Sequence, residues 1–211
     1  MCYQNHLVLH HALDVTKKFM VFGMKIADRL SLGKIMKTII IDSFCFINEI
    51  KEHKINKKIL LNLIKKIPLN IVKDNAAHIN HSDWNLPRDI ERQYLELFYE
   101  IVRPYMDSMM KKLHGSEWDI QNGWFQQYKT NDKHTWHNHP YTNFSNIYFL
   151  EMPEKQMQTQ FFDMITEKII TFNVKEGDLL TFPAFMIHRS DEIKNKKRKT
   201  IISFNSNFIR K

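Results

Sequence analysis

Three histidines fall within six residues of the stretch HTWHNHPYTNFSNIYFL: His134, His137 and His139. They stand at the mouth of an apolar run that reads as a buried strand. Side chains two residues apart on a strand share a face, so a regular strand here presents His137 and His139 to one point. That is how a strand supplies two ligands to a metal ion. A third ligand must come from a distant element, and His188, in FPAFMIHRSDEI at the end of an apolar strand, is the candidate. Two neighbouring donors and one remote donor make a facial set that leaves coordination positions open for substrate and oxygen. His134 falls on the opposite parity and is expected beside the site or at its entrance. Arg198 follows His188 by ten residues at the start of RKTIISFN. A hairpin of that length returns its guanidinium to the metal, where a planar fork suits a carboxylate.

These residues need a scaffold, and the chain divides into two textures. Ile55, Ile59, Leu60, Leu63, Ile64 and Ile67 recur at helical spacing until Pro68, predicting a core-facing helix. A second helical pattern runs from Asp89 toward Leu113 with Ile90, Tyr94, Leu97, Phe98, Ile101 and Tyr105 on one face; Pro104 is expected to kink it and Gly115 to stop it. Beyond Gly115 come short apolar runs separated by polar turns: WFQQY, NFSNIYFLEM, TQFFD, KIITFNV, DLLTFP and KTIISFNSNFI. The EGD at 176–178 signals a tight turn before a strand. Helices followed by at least six strands predict an α+β fold, with helices (about 50–115) ahead of an antiparallel sandwich or jelly roll (about 116–211).

At 211 residues, one principal domain is expected. MKTIIIDSFCFI, opening at Met36, reads as its first strand, which leaves residues 1–35 as an appendage with the pattern of a weakly amphipathic helix. No apolar run is long enough to cross a bilayer and no signal-peptide pattern is present. Only Cys2 and Cys45 are cysteines, so any metal is held by nitrogen and oxygen, and a reducing, cytoplasmic setting is expected. The net charge of +8 suits an anionic partner and leaves nucleic acid open. KNKKRK, from Lys194 to Lys199, reads as a solvated hairpin tip.

The order Tyr128, His137-x-His139, His188, Arg198, set in WHNHP, SNIYFLE, EGDLLTFPAFMIHRS and RKTIISFN, resembles the 2-oxoglutarate and Fe(II) dependent oxygenases. In detail it is similar to uncharacterised phage and bacterial members, and SDWN at 82–85 fits the phage type, so the cytoplasm of an infected host cell is one setting. The resemblance covers roughly the C-terminal half. It implies N-terminal helices on a double-stranded β-helix, Fe(II) held by the first and last histidines of the motif, His137 and His188, and 2-oxoglutarate chelating the metal through its 1-carboxylate and 2-oxo group. It further implies that Arg198 holds the distal carboxylate, with help from Thr200 or Tyr128. The activity implied is a dioxygenase that hydroxylates a substrate and releases succinate and carbon dioxide. An anionic or polypeptide substrate would suit the basic run beside Arg198.

The departure from the family pattern is His139, where the common motif carries Asp or Glu. Asp132, Asp163 and Asp191 are alternative carboxylate donors without matching spacing. Trp136 reads either as a pocket wall or as core, and NHSDWNLP either as a lid over the barrel or as an ordinary loop. Two rivals accompany the oxygenase reading: a cupin-type three-histidine dioxygenase that uses no 2-oxoglutarate, and a non-catalytic jelly-roll binding protein.

Overall fold

The computed structural model describes residues 43–209. The appendage at 1–35 and the strand reading of residues 36–42 lie outside the described residues. Within them the elements run β1 (Phe46–Glu49), α1 (His53–Ile64), β2 (Val72–Lys73), β3 (Ala77–Ile79), β4 (His81–Ser82) and α2 (Gln93–Lys112). There follow β5 (Glu117–Tyr128), β6 (Lys133–His137), β7 (Phe144–Glu151), a 3-10 turn (Lys155–Met157), β8 (Thr159–Asp163) and β9 (Lys168–Thr171). The chain closes with β10 (Asp178–Pro183), β11 (His188–Ser190) and β12 (Lys199–Ile209). The strands form two six-stranded antiparallel sheets, ordered β1-β10-β7-β12-β5-β4 and β2-β3-β6-β11-β8-β9. The predicted change from helices to strands near Gly115 is observed.

The first sheet has apolar matter on both faces, and strand parity sorts it. On β12, Ile202 and Phe204 join Phe125 and Tyr148 in a cluster with Leu60 and Ile64 of α1 and with Tyr94, Phe98 and Val102 of α2. Ile201, one residue out of step, faces the other way, into a second cluster with Tyr128, Ile147, Phe149, Phe161 and Phe182. The helices therefore cover one face of the first sheet, while the second cluster lies between strands of both sheets. A strand buried on both faces loses its alternation in sequence, which is why KTIISFN reads as a continuous apolar run.

Three local expectations change. The buried stripe of α1 is Leu60 and Ile64, with Ile67 just beyond it, whereas Ile55 and Ile59 are exposed. Helix α2 begins at Gln93 rather than Asp89, because the Arg92 guanidinium ties the preceding turn together. It donates to the carbonyls of Asp83, Leu86, Pro87 and Ile90. Pro104 lies inside a continuous α2. The EGD turn forms as expected: Gly177 has φ +94°, and a Cβ there would meet the His53 ring at 2.9 Å.

Candidate metal centre and its cavity

The two sheets meet over a pocket, and three of the four singled-out histidines converge on one point in it. Pairing of β6 with β11 sets His188 directly opposite His137. His139 lies just past the end of β6, where its backbone N–H donates to the Ala184 carbonyl at 3.0 Å, so the end of β10 holds the loop in place. One ligand-type atom from each of His137, His139 and His188 lies within 4.8 Å of the others. Among the described residues this is the only such group of three or more, and it contains none of Asp132, Asp163 or Asp191.

Tautomers follow from the backbone. His137 Nδ1 meets the Thr135 carbonyl at 2.8 Å and His188 Nδ1 meets that of Met186 at 2.9 Å. A carbonyl only accepts, so each Nδ1 carries the proton and each Nε2 keeps its lone pair for a ligand. Burial and the facing His137 push the His139 pKa down to about 3, and burial pushes His188 well below the usual imidazole range. Both are neutral donors at physiological pH. His134 stacks on His137 with ring centroids 3.9 Å apart. It stands beside the site, as expected; its parity along β6 is opposite to that of His137, and the register slip between His188 and Ser190 turns it to the cavity side.

Elsewhere along the cavity the structure departs from expectation. Arg198 is not turned into it: its Nε and Nη2 donate to the two oxygens of Glu151 at 2.8 and 2.9 Å. The Thr200 hydroxyl also donates to Glu151 and accepts from Gln127 Nε2, so Thr200 too is engaged outside the cavity. The fork did find a carboxylate, but one of this chain's own. Lys199, between them, has the parity of Ile201 and Ser203, which line the cavity. It is fully buried. Its Nζ donates to Ser190 Oγ at 2.9 Å and lies 5.2 Å from the centre of the Tyr128 ring.

Among the described residues this ammonium has a hydroxyl and an aromatic face for company and no ion pair with a carboxylate. Burial draws its pKa down to about 7. A buried cation in that position calls for an anion. Tyr128 lines the cavity and donates to Gln126 Oε1 at 3.0 Å. Lys199 was counted with the solvated KNKKRK run, where Lys194, Lys196 and Lys197 are indeed exposed. Parity along β12 was the available signal, hidden because both faces are buried.

Other candidates resolve into scaffold. Trp136 is not a cavity wall: it stands with Phe162, and the Arg189 guanidinium lies 4.5 Å from its ring centre. NHSDWNLP is no lid. His81 and Ser82 pair with β5 as strand β4, and Asp83 is buried, accepting from Arg92 Nε, the Tyr94 hydroxyl and the Phe125 backbone N–H. The segment does send Trp84 toward the cavity, where it meets Trp124 edge-on with centroids 4.3 Å apart; the Trp124 ring lies 5.9 Å from His139. Asp132 is spent on the backbone N–H groups of Lys129 and Asn80, Asp163 on that of Ile165, and Asp191 on Gln160 and Arg189.

Comparison with known proteins agrees with this geometry. Residues 122–205 match the family described as "Putative 2OG-Fe(II) oxygenase". None of the curated proteins matches the chain. Among solved structures, a prolyl-4-hydroxylase from Pseudomonas putida is similar at TM-score 0.56 and 10% identity, over 80% of this chain and 94% of that one. A 2OG-Fe(II) oxygenase family protein from Burkholderia pseudomallei reaches TM-score 0.60 at 11% identity, over 79% and 88%. The viral collagen prolyl hydroxylase of Paramecium Bursaria Chlorella virus-1, in its 2OG complex, reaches 0.52 at 14%, over 77% and 95%. The cofactors that go with this family are Fe(II) and 2-oxoglutarate, and three imidazoles are a donor set that accepts Fe(II).

Proposed function

We propose, on the premise that this chain is a relative of the 2OG-Fe(II) oxygenases, that it is a 2-oxoglutarate dependent dioxygenase of the hydroxylase type built on a double-stranded β-helix. In this reading residues 36–211 form the oxygenase domain and 1–35 precede it. His137, His139 and His188 hold Fe(II) through the nitrogens that the backbone carbonyls leave unused. Lys199, in place of Arg198, grips the distal carboxylate of 2-oxoglutarate, with the Ser190 hydroxyl and Tyr128 completing the pocket. The bound metal and co-substrate supply the oxidation: one atom of O2 goes to succinate, the other to a substrate C–H bond, and carbon dioxide leaves. The protein's part is to orient and to exclude water. Ile147 and Ile201 wall the cavity with apolar surface, and Trp124 stands over His139.

The observation that carries this reading is the pairing of a three-histidine cluster with a fully buried lysine that has no carboxylate partner among the described residues. A cupin-type site that uses no 2-oxoglutarate could turn that lysine to its substrate's own carboxylate, and the match of residues 122–205 to the 2OG-Fe(II) oxygenase family favours the first reading. A polypeptide is the favoured class of prime substrate, since two of the similar structures are named prolyl hydroxylases.

The test is succinate formation from 2-oxoglutarate by anaerobically iron-loaded protein on exposure to air. Wild type is expected to form succinate slowly without prime substrate, His188→Ala to form none, and Lys199→Met to form it only at much higher 2-oxoglutarate. A wild type that neither forms succinate nor binds 2-oxoglutarate would refute the reading.

A further inference from the structure

The cavity carries a charge imbalance. Its ligating corner offers three imidazoles, and none of the residues lining the cavity is acidic. Carboxylates on the flanking elements are committed elsewhere: Glu151 to Arg198 and Thr200, Asp132 to two backbone N–H groups, Asp191 to Arg189 and Gln160. Against two of the lining residues, Ser190 and Tyr128, the buried Lys199 amine adds a cationic site. A divalent ion entering this pocket would bring two positive charges into a low-dielectric interior that supplies no negative one. Charge buried without compensation is costly. A dicarboxylate brings two negative charges, one for the metal and one for the Lys199 amine.

We propose that this chain binds its divalent metal and a dicarboxylate as a mutually dependent pair, and that the neutral His139 imposes the dependence; the inference rests on the oxygenase reading above. A carboxylate at position 139 would neutralise half of the metal's charge in advance and let the ion bind alone. With an imidazole there, the metal waits for an external anion. Coupling of this kind is reciprocal: whatever factor the dicarboxylate adds to metal affinity, the metal adds to dicarboxylate affinity. Free metal at low 2-oxoglutarate then leaves the site largely empty, so occupancy follows the supply of the dicarboxylate.

The experiment is a titration of the full chain with Mn(II) under argon, followed by the electron paramagnetic resonance signal of free Mn(II), which requires no turnover. It is run in buffer alone, with saturating 2-oxoglutarate, and with pyruvate, which keeps the 2-oxo acid group but lacks the distal carboxylate. Mn(II) is expected to bind at least about tenfold more tightly with 2-oxoglutarate, within the usual range of coupling factors, and pyruvate to have a clearly smaller effect. In His139→Asp, Mn(II) is expected to bind more tightly than in wild type without any co-substrate, with coupling reduced. Should that variant fail to fold, the wild-type comparison still decides. Wild-type Mn(II) affinity that changes by less than tenfold while 2-oxoglutarate demonstrably binds overturns the inference and leaves the oxygenase reading intact. Equal coupling by pyruvate and 2-oxoglutarate also overturns it. Mn(II) binding under neither condition removes the oxygenase reading and the inference together.

Discussion

Lys199 and Arg198 are adjacent in sequence and opposite in placement, because successive side chains of a strand face opposite sides. Lys199→Met is expected to weaken 2-oxoglutarate binding about 10- to 100-fold, the value of one hydrogen-bonded charge contact, as read by calorimetry on metal-loaded protein. Arg198→Ala is expected to change it by less than about threefold; equal losses in the two variants would contradict the assignment. Lys199 also predicts a pH dependence. Its pKa is drawn down from 10.5 to about 7 in the ligand-free fold, so between those values the unfolded chain binds more protons than the native one. Stability of the ligand-free protein should therefore rise with pH from about 7 toward 10.5. Binding of 2-oxoglutarate requires the protonated amine, so affinity should fall over the same window. Denaturant midpoints and 2-oxoglutarate titrations at several pH values check both, and Lys199→Met should flatten both trends.

At the scale of the element, Asp83 ties three pieces together. Its carboxylate takes the Arg92 fork at the start of α2, the Tyr94 hydroxyl in the first turn of that helix and the Phe125 N–H in β5. It thereby sets the helix against the strand that carries Trp124 and Tyr128 into the cavity. Asp83→Ala leaves a largely buried guanidinium and a buried hydroxyl without their partner. A loss of about 3–5 kcal/mol in urea unfolding is expected, and a loss below about 1 kcal/mol would show that the tie is dispensable. The sequence pointed to SDWN, but as a lid or loop. A buried aspartate that accepts three hydrogen bonds looks the same in sequence as a solvated one. The slip in β6–β11 was equally silent, since no glycine or proline marks it and only the pairing with β11 reveals it.

At the scale of the molecule, the first sheet separates two apolar clusters, one under the helices and one beside the cavity. Phe98 stands in the first, stacked on Tyr148 at 5.5 Å and edge-on to Phe204 at 5.6 Å. Phe98→Ala is expected to cost about 3–5 kcal/mol of stability, measured by denaturant unfolding, while 2-oxoglutarate affinity of the folded protein changes little. Ligand binding reports on the other side of the sheet. Metal with 2-oxoglutarate at about 100 times its dissociation constant should add about 2.7 kcal/mol, seen as a rise in Tm that His188→Ala abolishes.

The sequence by itself picked out His137, His139 and His188 as one group, the change from helices to strands near Gly115, and the tight turn at Gly177. These are signals of residue type and short spacing, which a strand or turn converts directly into geometry. Only the tertiary structure decided which neighbour, Arg198 or Lys199, turns to the cavity side of β12, that Trp136 faces away from the cavity, and that Asp83 anchors a helix. Each of these depends on which face of an element is covered and by what. A strand such as β12, buried on both faces as far as Ser206, carries no polar alternation to reveal that choice.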